Sequence, residues 1–353
     1  MTLATTPPIF DGHNDLLLRL LGGAVTASGV ANGLGSGHID LPRARAGGFG
    51  GGFFAIFVPS PATPGVDMDQ AMSQPQYDLP LPEMIPQLDA LETTWRGVEA
   101  FEALAAAGAI TPCTTAAEIE AALAGPKMAA VLHLEGAEAI GPNLEELHAL
   151  HARGLRSLGP VWSRPTIFGN GVPFRFPATP DIGAGLTEAG KRLVKECNAL
   201  KIMIDLSHLN EKGVDDVAAL TDAPLVATHS NAHAVTTHAR NLTDRQLAMI
   251  AESDGMVGIN FATAFLREDG RMGSDCGLDV VLRHLDHLIG KLGEDRVGFG
   301  SDFDGATVPE GITDIAGLPK LRAAMTAHGV DAALMDKLCH GNWLRVLRKT
   351  WGA

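Results

Sequence analysis

PPIFDGHND (residues 7–15) runs from two prolines through an apolar pair to an imidazole and a carboxylate, His13 and Asp15. Residues i and i+2 on a strand project to one face, so these two side chains can converge on a single object, for which a divalent metal ion is the obvious candidate. The pair means little alone, because Asp11, Gly12 and Asn14 are turn residues and an H-x-D arises by chance. Its context decides. The same order, an apolar β-rich run closing on the rim of something polar, recurs along the chain: GGFFAIFV (51–58), MAAVLHLE (128–135), GLRSLGPVW (154–162), KIMIDLSH (201–208), APLVATHS (223–230), GMVGINF (255–261) and DRVGFGSD (295–302). Most of these runs are near-continuously apolar, as parallel strands covered on both faces must be.

Helical patterns separate the runs. TTAAEIEAALAG carries a capping box, Thr115 with Glu118, and stops at Gly125; LTDRQLAMI carries another, Thr243 with Gln246. GLDVVLRHLDHLIGKLG sets Val281, Leu282, Leu285, Leu288 and Ile289 on one helical face and ends at Gly293. Eight strands alternating with helices predict an α/β fold, a single TIM-like (β/α)8 barrel spanning 1–353, with a helical C-terminal region, about 306–353, packed on it. A doubly wound open sheet is the competing topology, but the first strand's turn lacks the G-x-G-x-x-G fingerprint. Two Pro/Gly-rich stretches, Pro59 to Pro86 and Ser163 to Thr187, are too long for plain connectors and read as functional lids or mobile segments.

The composition, 46% hydrophobic and 19% charged over 353 residues, is that of a folded globular chain. A formal net charge of −14 argues against nucleic acid and anionic membranes as partners. The N-terminus lacks the basic and apolar regions of a signal peptide, and no apolar run approaches the roughly 18 residues of a membrane span. Cys113, Cys197, Cys276 and Cys339 lie far apart with no C-x-x-C pair, as ordinary thiols in a reducing compartment do. A cytoplasmic location is expected.

In a (β/α)8 barrel the chemistry sits at the C-terminal ends of the strands. There this sequence places His13 and Asp15 (strand one), Glu135 (strand three), His208 (strand five), His229 (strand six) and Asp302 (strand eight). Each has a dull explanation by itself: Glu135 before Gly136 as a turn carboxylate, His208 beside a helix start, Asp302 in SDFDG as a turn opener. Their coincidence on one rim does not. Three histidines and three carboxylates without cysteine suit Zn(II), Mn(II), Co(II) or Fe(II) in a catalytic role. Six groups exceed one tetrahedral ion and suit two ions bridged by a carboxylate, with an attacking hydroxide between them. His133, which shares parity with Glu135, supports that site from behind or packs in the core. His233 and His238 line the pocket or sit on a helix after strand six. His148, His151, His284, His287, His328 and His340 lie on helical patterns and read as surface or packing residues.

Five motifs, DGHND (11–15), LEGAEAI (134–140), IDLSH (204–208), THSNAHAVTTHARN (228–241) and VGFGSDFDG (297–305), make the chain resemble the renal (membrane) dipeptidases and their bacterial relatives, in family order and over most of its length. The phosphotriesterase-like cousins, with H-x-H on strand one and a strand-four lysine, fit less well. The resemblance implies a zinc-dependent dipeptidase, a hydrolase and metallopeptidase, acting on dipeptides through a metal-bridging hydroxide, with two Zn2+ per chain. By it, His13 and Asp15 hold one ion, His208 and His229 the other, and Glu135 bridges them. Asp302 acts as general base and then acid, and Arg240 holds the substrate's C-terminal carboxylate with its guanidinium fork. A homodimer follows from the resemblance alone. Two departures stand out. Neither the signal peptide nor the lipid-anchor tail of the eukaryotic members is read in this chain, so membrane attachment is not expected. Strand four of the renal enzymes ends on a substrate-contacting histidine, whereas here LGPVWSRP (158–165) sets Trp162 at that place, with Trp162, Arg164 or His133 left to compensate. That departure keeps a related amidohydrolase of N-acyl amino acids or lactams as the alternative, while a binding protein on a degenerate barrel would have no use for the intact ligand set.

Overall fold

Eight strands run side by side in the computed structural model, which describes residues 6–61 and 67–352. They are β1 (Ile9–Asn14), β2 (Phe49–Phe57), β3 (Met128–Glu135), β4 (Leu155–Gly159), β5 (Met203–Ile204), β6 (Val226–Ala227), β7 (Met256–Ile259) and β8 (Val297–Phe299). Neighbours pair in the order β5-β4-β3-β2-β1-β8-β7-β6, and each of these pairings is parallel. Between β5 and β6 a single bridge, Asp205 to Val226, brings the two ends of the sheet together, with Leu206 N–H donating to the Val226 carbonyl at 2.8 Å. The result is a nearly closed barrel ringed by helices, as the alternation of runs predicts.

Strand parity sorts the core into two layers. Leu132 and Leu134 of β3 face outward into the helix layer with Ile9, Phe54, Ile56 and Val257. Ala129 and Val131 face inward with Phe10, Phe53, Met203, Val226 and Met256. Continued along β3, the inward parity delivers His133 and then Glu135 to the interior. β1 departs from simple alternation. Its ladder with β2 shifts register between Asp11 and Asn14, and Asp15 already stands at the N-cap position of a short helix, Leu16–Leu21.

Both capping boxes form. Thr115 caps the helix Ala116–Leu123 and Thr243 the helix Asp244–Glu252. In the helix Asp279–Leu292 the buried face carries Val280, Val281, His284, Leu285, Leu288 and Leu292, while Leu282 and Ile289 are only half-buried. The seam is therefore rotated slightly from the one the apolar pattern suggests, because His284 turns inward to bond the backbone: its Nδ1 accepts from Ala232 N–H at 3.1 Å and its Nε2 lies 3.0 Å from the Leu266 carbonyl. His233 and His238 lie on no helix; both occupy the irregular segment between β6 and Asp244.

The long stretches at 59–86 and 163–187 are less loop-like than their composition suggests. Tyr77–Asp78 of the first pairs antiparallel with Arg175–Phe176 of the second, and a short helix, Met68–Met72, precedes it. Part of the first stretch, 62–66, lies outside the described residues. Beyond β8 come the helices Leu318–Ala327, Ala332–Asp336 and Asn342–Trp351. The last carries Trp343 into the N-terminal mouth of the barrel, where its indole N–H donates to the Phe299 carbonyl at 3.0 Å. A further short strand, Ile110–Pro112, extends β3 outside the ring.

Candidate metal centre

The strand ends at the C-terminal mouth bring His13, Asp15, Glu135, His208, His229 and Asp302 together, all but Asp302 buried and Asp302 nearly so. Glu135 sits at the middle. Its Oε1 lies 3.1 Å from His208 Nε2, 3.3 Å from His229 Nε2 and 3.7 Å from His13 Nε2. His13 Nε2 is 3.4 Å from Asp15 Oδ2, and the rings of His13 and His229 stack at 3.8 Å. Three overlapping trios have ligand atoms within 4.8 Å of one another: His13–Asp15–Glu135, Glu135–His208–His229 and His13–His229–Asp302.

Backbone geometry is spent to achieve this. His208 and Asp302 both take left-handed φ values, 67° and 61°, which non-glycine residues adopt at a cost and which cluster at functional sites. Gly305 is needed for space, since a Cβ there would fall 2.0 Å from Asp15 Oδ2. Second contacts fix the imidazoles. Ser163 Oγ lies 2.8 Å from His208 Nδ1, and Thr228 Oγ1 lies 2.8 Å from His229 Nδ1 while donating to Asp205 Oδ2 at 2.6 Å. With each Nδ1 engaged, both Nε2 atoms are turned to Glu135, the arrangement that orients metal-ligating histidines.

Electrostatics tell the same story. Burial opposes protonation of His13, but the Glu135 and Asp15 carboxylates outweigh it and lift its pKa to about 10. Burial raises Glu135 to about 8 and pushes Asp302 upward as well. Burial, aided by the charges of Arg240 and His13, drives His208 and His229 well below the usual imidazole range. Neutral His208 and His229 crowded against Glu135, whose proton burial retains, form a site that exchanges that proton for a cation. Among the described residues neither ring nitrogen of His13 has a hydrogen-bond partner despite its burial. The donor set fits divalent metal.

Arg240 is buried 11 residues beyond His229, its Nη1 donating to Ser230 Oγ and its Nη2 to the His229 carbonyl, each at 2.8 Å. Its Nε has no partner among the described residues, and burial, against the pull of Asp302, Asp205 and Glu135, lowers its pKa to about 10. Trp162 lines the cavity over the site, with Phe57 at 4.9 Å, Phe174 at 5.5 Å and His208 at 5.8 Å between ring centroids. That cavity, about 500 Å3, has a polar side formed by Arg19, His38 and Asp304 and an apolar side formed by Met72, Phe265 and Met272. His133 lies beneath, buried, with Nδ1 2.9 Å from Ser157 Oγ and burial holding its pKa near about 4. His238 does not line the cavity: it is buried under the paired loops between Phe265 and Tyr77. His233 bonds the Ala178 carbonyl at 2.9 Å. Sequence reasoning missed Ser163, Thr228 and Asn260, the last of which donates to Asp302 Oδ2 at 2.9 Å. For the first two a signal existed, a hydroxyl residue next to a strand-end Trp162 or His229.

Comparison with known proteins agrees. The crystal structure of dipeptidase AC, a metallopeptidase of family M19, is 61% identical, with TM-score 0.96, covering 99% of this chain and 100% of its own. A metallopeptidase from Rhodobacter sphaeroides, solved with a phosphinate mimic of the dipeptide L-Ala-D-Ala, is 60% identical with TM-score 0.95, covering 98% and 100%. An uncharacterised protein of the pqqA 5′ region of Klebsiella pneumoniae is 48% identical over 265 residues, 74% of this chain and 98% of that protein. The membrane dipeptidase family, peptidase family M19, matches residues 1–351, and the chain belongs to it.

Proposed function

We propose that this metallo-dipeptidase holds two zinc ions, one on His13 and Asp15 and one on His208 and His229, with Glu135 shared between them. The supporting observation is the Glu135 carboxylate, one oxygen of which lies 3.1–3.7 Å from three imidazole nitrogens. Divalent ions held by these residues would lower the pKa of water from about 15.7 toward about 7 and so would supply a nucleophile at neutral pH. Asp302, steadied through Oδ2 by Asn260, has its other oxygen available to take a proton from the attacking water and return it to the leaving amine. Arg240, with Nε unpaired, pairs with the free C-terminal carboxylate and so limits substrates to two residues. Trp162 supplies one indole N–H where a histidine would accept and donate, and it adds apolar wall. Small or apolar residues beside the scissile bond follow from that wall. The L-Ala-D-Ala mimic bound by the Rhodobacter sphaeroides relative makes a dipeptide with a D-residue second the first substrate to try.

We take the site to belong to one functional unit, 1–353, in a cytoplasmic homodimer, as the family resemblance implies. The test joins metal analysis of the purified protein to assays on dipeptides, C-terminally amidated dipeptides, N-acyl amino acids and lactams. About two zinc per chain, with turnover of free dipeptides and not of amidated ones, is the expected outcome. Equal turnover of both would remove Arg240 from its role. Preference for N-acyl amino acids or lactams would favour the alternative that Trp162 keeps open.

A further inference from the structure

Beneath the Trp162 wall lies an ion pair that takes no part in the chemistry described above. The Arg164 and Glu138 side chains are wholly without solvent exposure. Arg164 Nε and Nη2 both donate to Glu138 Oε1, at 3.1 and 2.7 Å. The same guanidinium donates to Ser60 Oγ at 2.5 Å and to the Val58 carbonyl at 2.9 Å. Its centre lies 5.6 Å from the Trp162 ring and 5.7 Å from the Phe57 ring. Glu138 reaches this position because the chain turns sharply at Gly136, whose φ is 85° and where a Cβ would fall 2.5 Å from Glu138 Oε2.

Neither charge lines the cavity, but the residues they hold do. Phe57 immediately precedes Val58 and pairs in register with Glu135; Trp162 and Ser163 immediately precede Arg164. Phe57 and Trp162 form cavity wall, and Ser163 Oγ contacts His208 Nδ1 at 2.8 Å. One guanidinium thus ties together the ends of β2, β3 and β4 and, through Ser163, the imidazole that follows β5. As a stabiliser such a pair is poor, because desolvating two charges often cancels their attraction and apolar residues of similar volume do as well. Its distinctive property is direction. A planar fork with four hydrogen bonds fixes the backbone on either side of it far more narrowly than apolar packing does.

We propose that the buried Glu138–Arg164 pair is a positioning element for substrate selection: it sets the place of the Trp162 indole, and with it the width of the cavity, and it holds Ser163 against His208. The proposal rests on the reading that this cavity takes the dipeptide.

The double variant E138L/R164M separates positioning from stability, since it removes both charges and keeps the volume. It is compared, metal-loaded, with the wild type and with W162A, using one dipeptide of small residues and one with a bulky apolar residue. The double variant should melt close to the wild type and, at saturating metal, remain loaded, while its kcat/KM ratio of bulky over small substrate rises about tenfold, chiefly through KM. The visible spectrum of its Co(II)-substituted form should differ from the wild type's, because His208 has lost a fixed Ser163. An unchanged ratio together with superimposable Co(II) spectra would overturn the proposal. If W162A shifts the ratio and the double variant does not, Trp162 forms the wall without needing the pair, which also overturns it. If the wild type hydrolyses neither dipeptide, the functional reading fails, and the Co(II) spectra alone decide whether the pair positions His208. Should the double variant not fold, E138Q, which keeps shape and an acceptor, is judged by the same two readouts.

Discussion

At the N-terminal mouth of the barrel the indole of Trp343 meets Phe10 and Phe53 at centroid distances of 6.4 and 5.4 Å; at the C-terminal mouth His13 and His229 stack at 3.8 Å beside three carboxylates. The two ends are made by the same strands and are about equally buried. They differ in what the buried atoms need. The aromatic plug needs only contact and one hydrogen bond, from Trp343 to Phe299. The polar mouth leaves both ring nitrogens of His13 without a hydrogen bond among the described residues, holds a proton on Glu135 and puts His208 and Asp302 in left-handed backbone. One end holds the barrel together, and the other is held ready at its expense.

Substitutions at the two mouths should therefore have opposite consequences. Glu135→Gln removes a ligand from two trios and should lower kcat/KM by at least about a thousandfold with loss of metal, since a metal's charge is worth several kcal/mol to such reactions. The metal-free variant should melt no lower than the metal-free wild type, because a buried carboxylate has gone; a clear drop in melting temperature would contradict the comparison. Trp343→Ala should do the reverse. Urea titration should show a loss of about 3–5 kcal/mol, the usual result of emptying a buried aromatic site, with kcat of the folded fraction little changed. Ser163→Ala, which frees His208 Nδ1, should weaken metal binding about ten- to a hundredfold, readable by competition with a chelator.

The smallest effect concerns acid. Burial lowers His284 to about 4, and its Nδ1 accepts a backbone N–H, so only the neutral ring fits. Its folded pKa lies below its unfolded value of about 6.5, so its stabilising contribution is complete above pH 6.5 and is lost as pH falls toward 4. The slope is at most about 1.4 kcal/mol per pH unit. His284→Gln, which can still accept from Ala232 and donate to Leu266, should lose less stability over that window; identical slopes would show that His284 is not where acid acts.

The barrel strands are legible in the sequence because a parallel strand covered on both faces needs an apolar run, and each run here ends at the rim. The rim residues are legible for the same reason: Glu135, His208, His229 and Asp302 interrupt runs that would otherwise continue as apolar. What escapes is whatever depends on a distant partner. Tyr77–Asp78 is a strand only because Arg175–Phe176 lies beside it, and a two-residue strand has no periodicity to detect. Ser163 and Thr228 look like common hydroxyls until an imidazole is found 2.8 Å away. The convergence of His13 and Asp15 was legible while its means was not. The i, i+2 rule names a pair that converges, but a register shift and a helix start bring it about.

One joint of the barrel is closed by a single backbone bridge, Asp205 to Val226. Between β5 and β6, each of two residues, the Asp205 carboxylate does much of what main chain does elsewhere, accepting from Thr228 N–H at 2.8 Å, Ser207 N–H at 2.9 Å and Thr228 Oγ1 at 2.6 Å. A cylinder latched by a side chain has a hinge line built into it. Amides flanking this joint should exchange with deuterium before those of β2 and β3, whose ladder is seven pairs long. His208 and His229 stand on opposite lips of the same joint, so a breathing motion there parts two of the proposed ligands at once. Metal entry and exit would then keep time with the opening of the latch, and Asp205, which does not line the cavity, would govern the lifetime of the loaded enzyme.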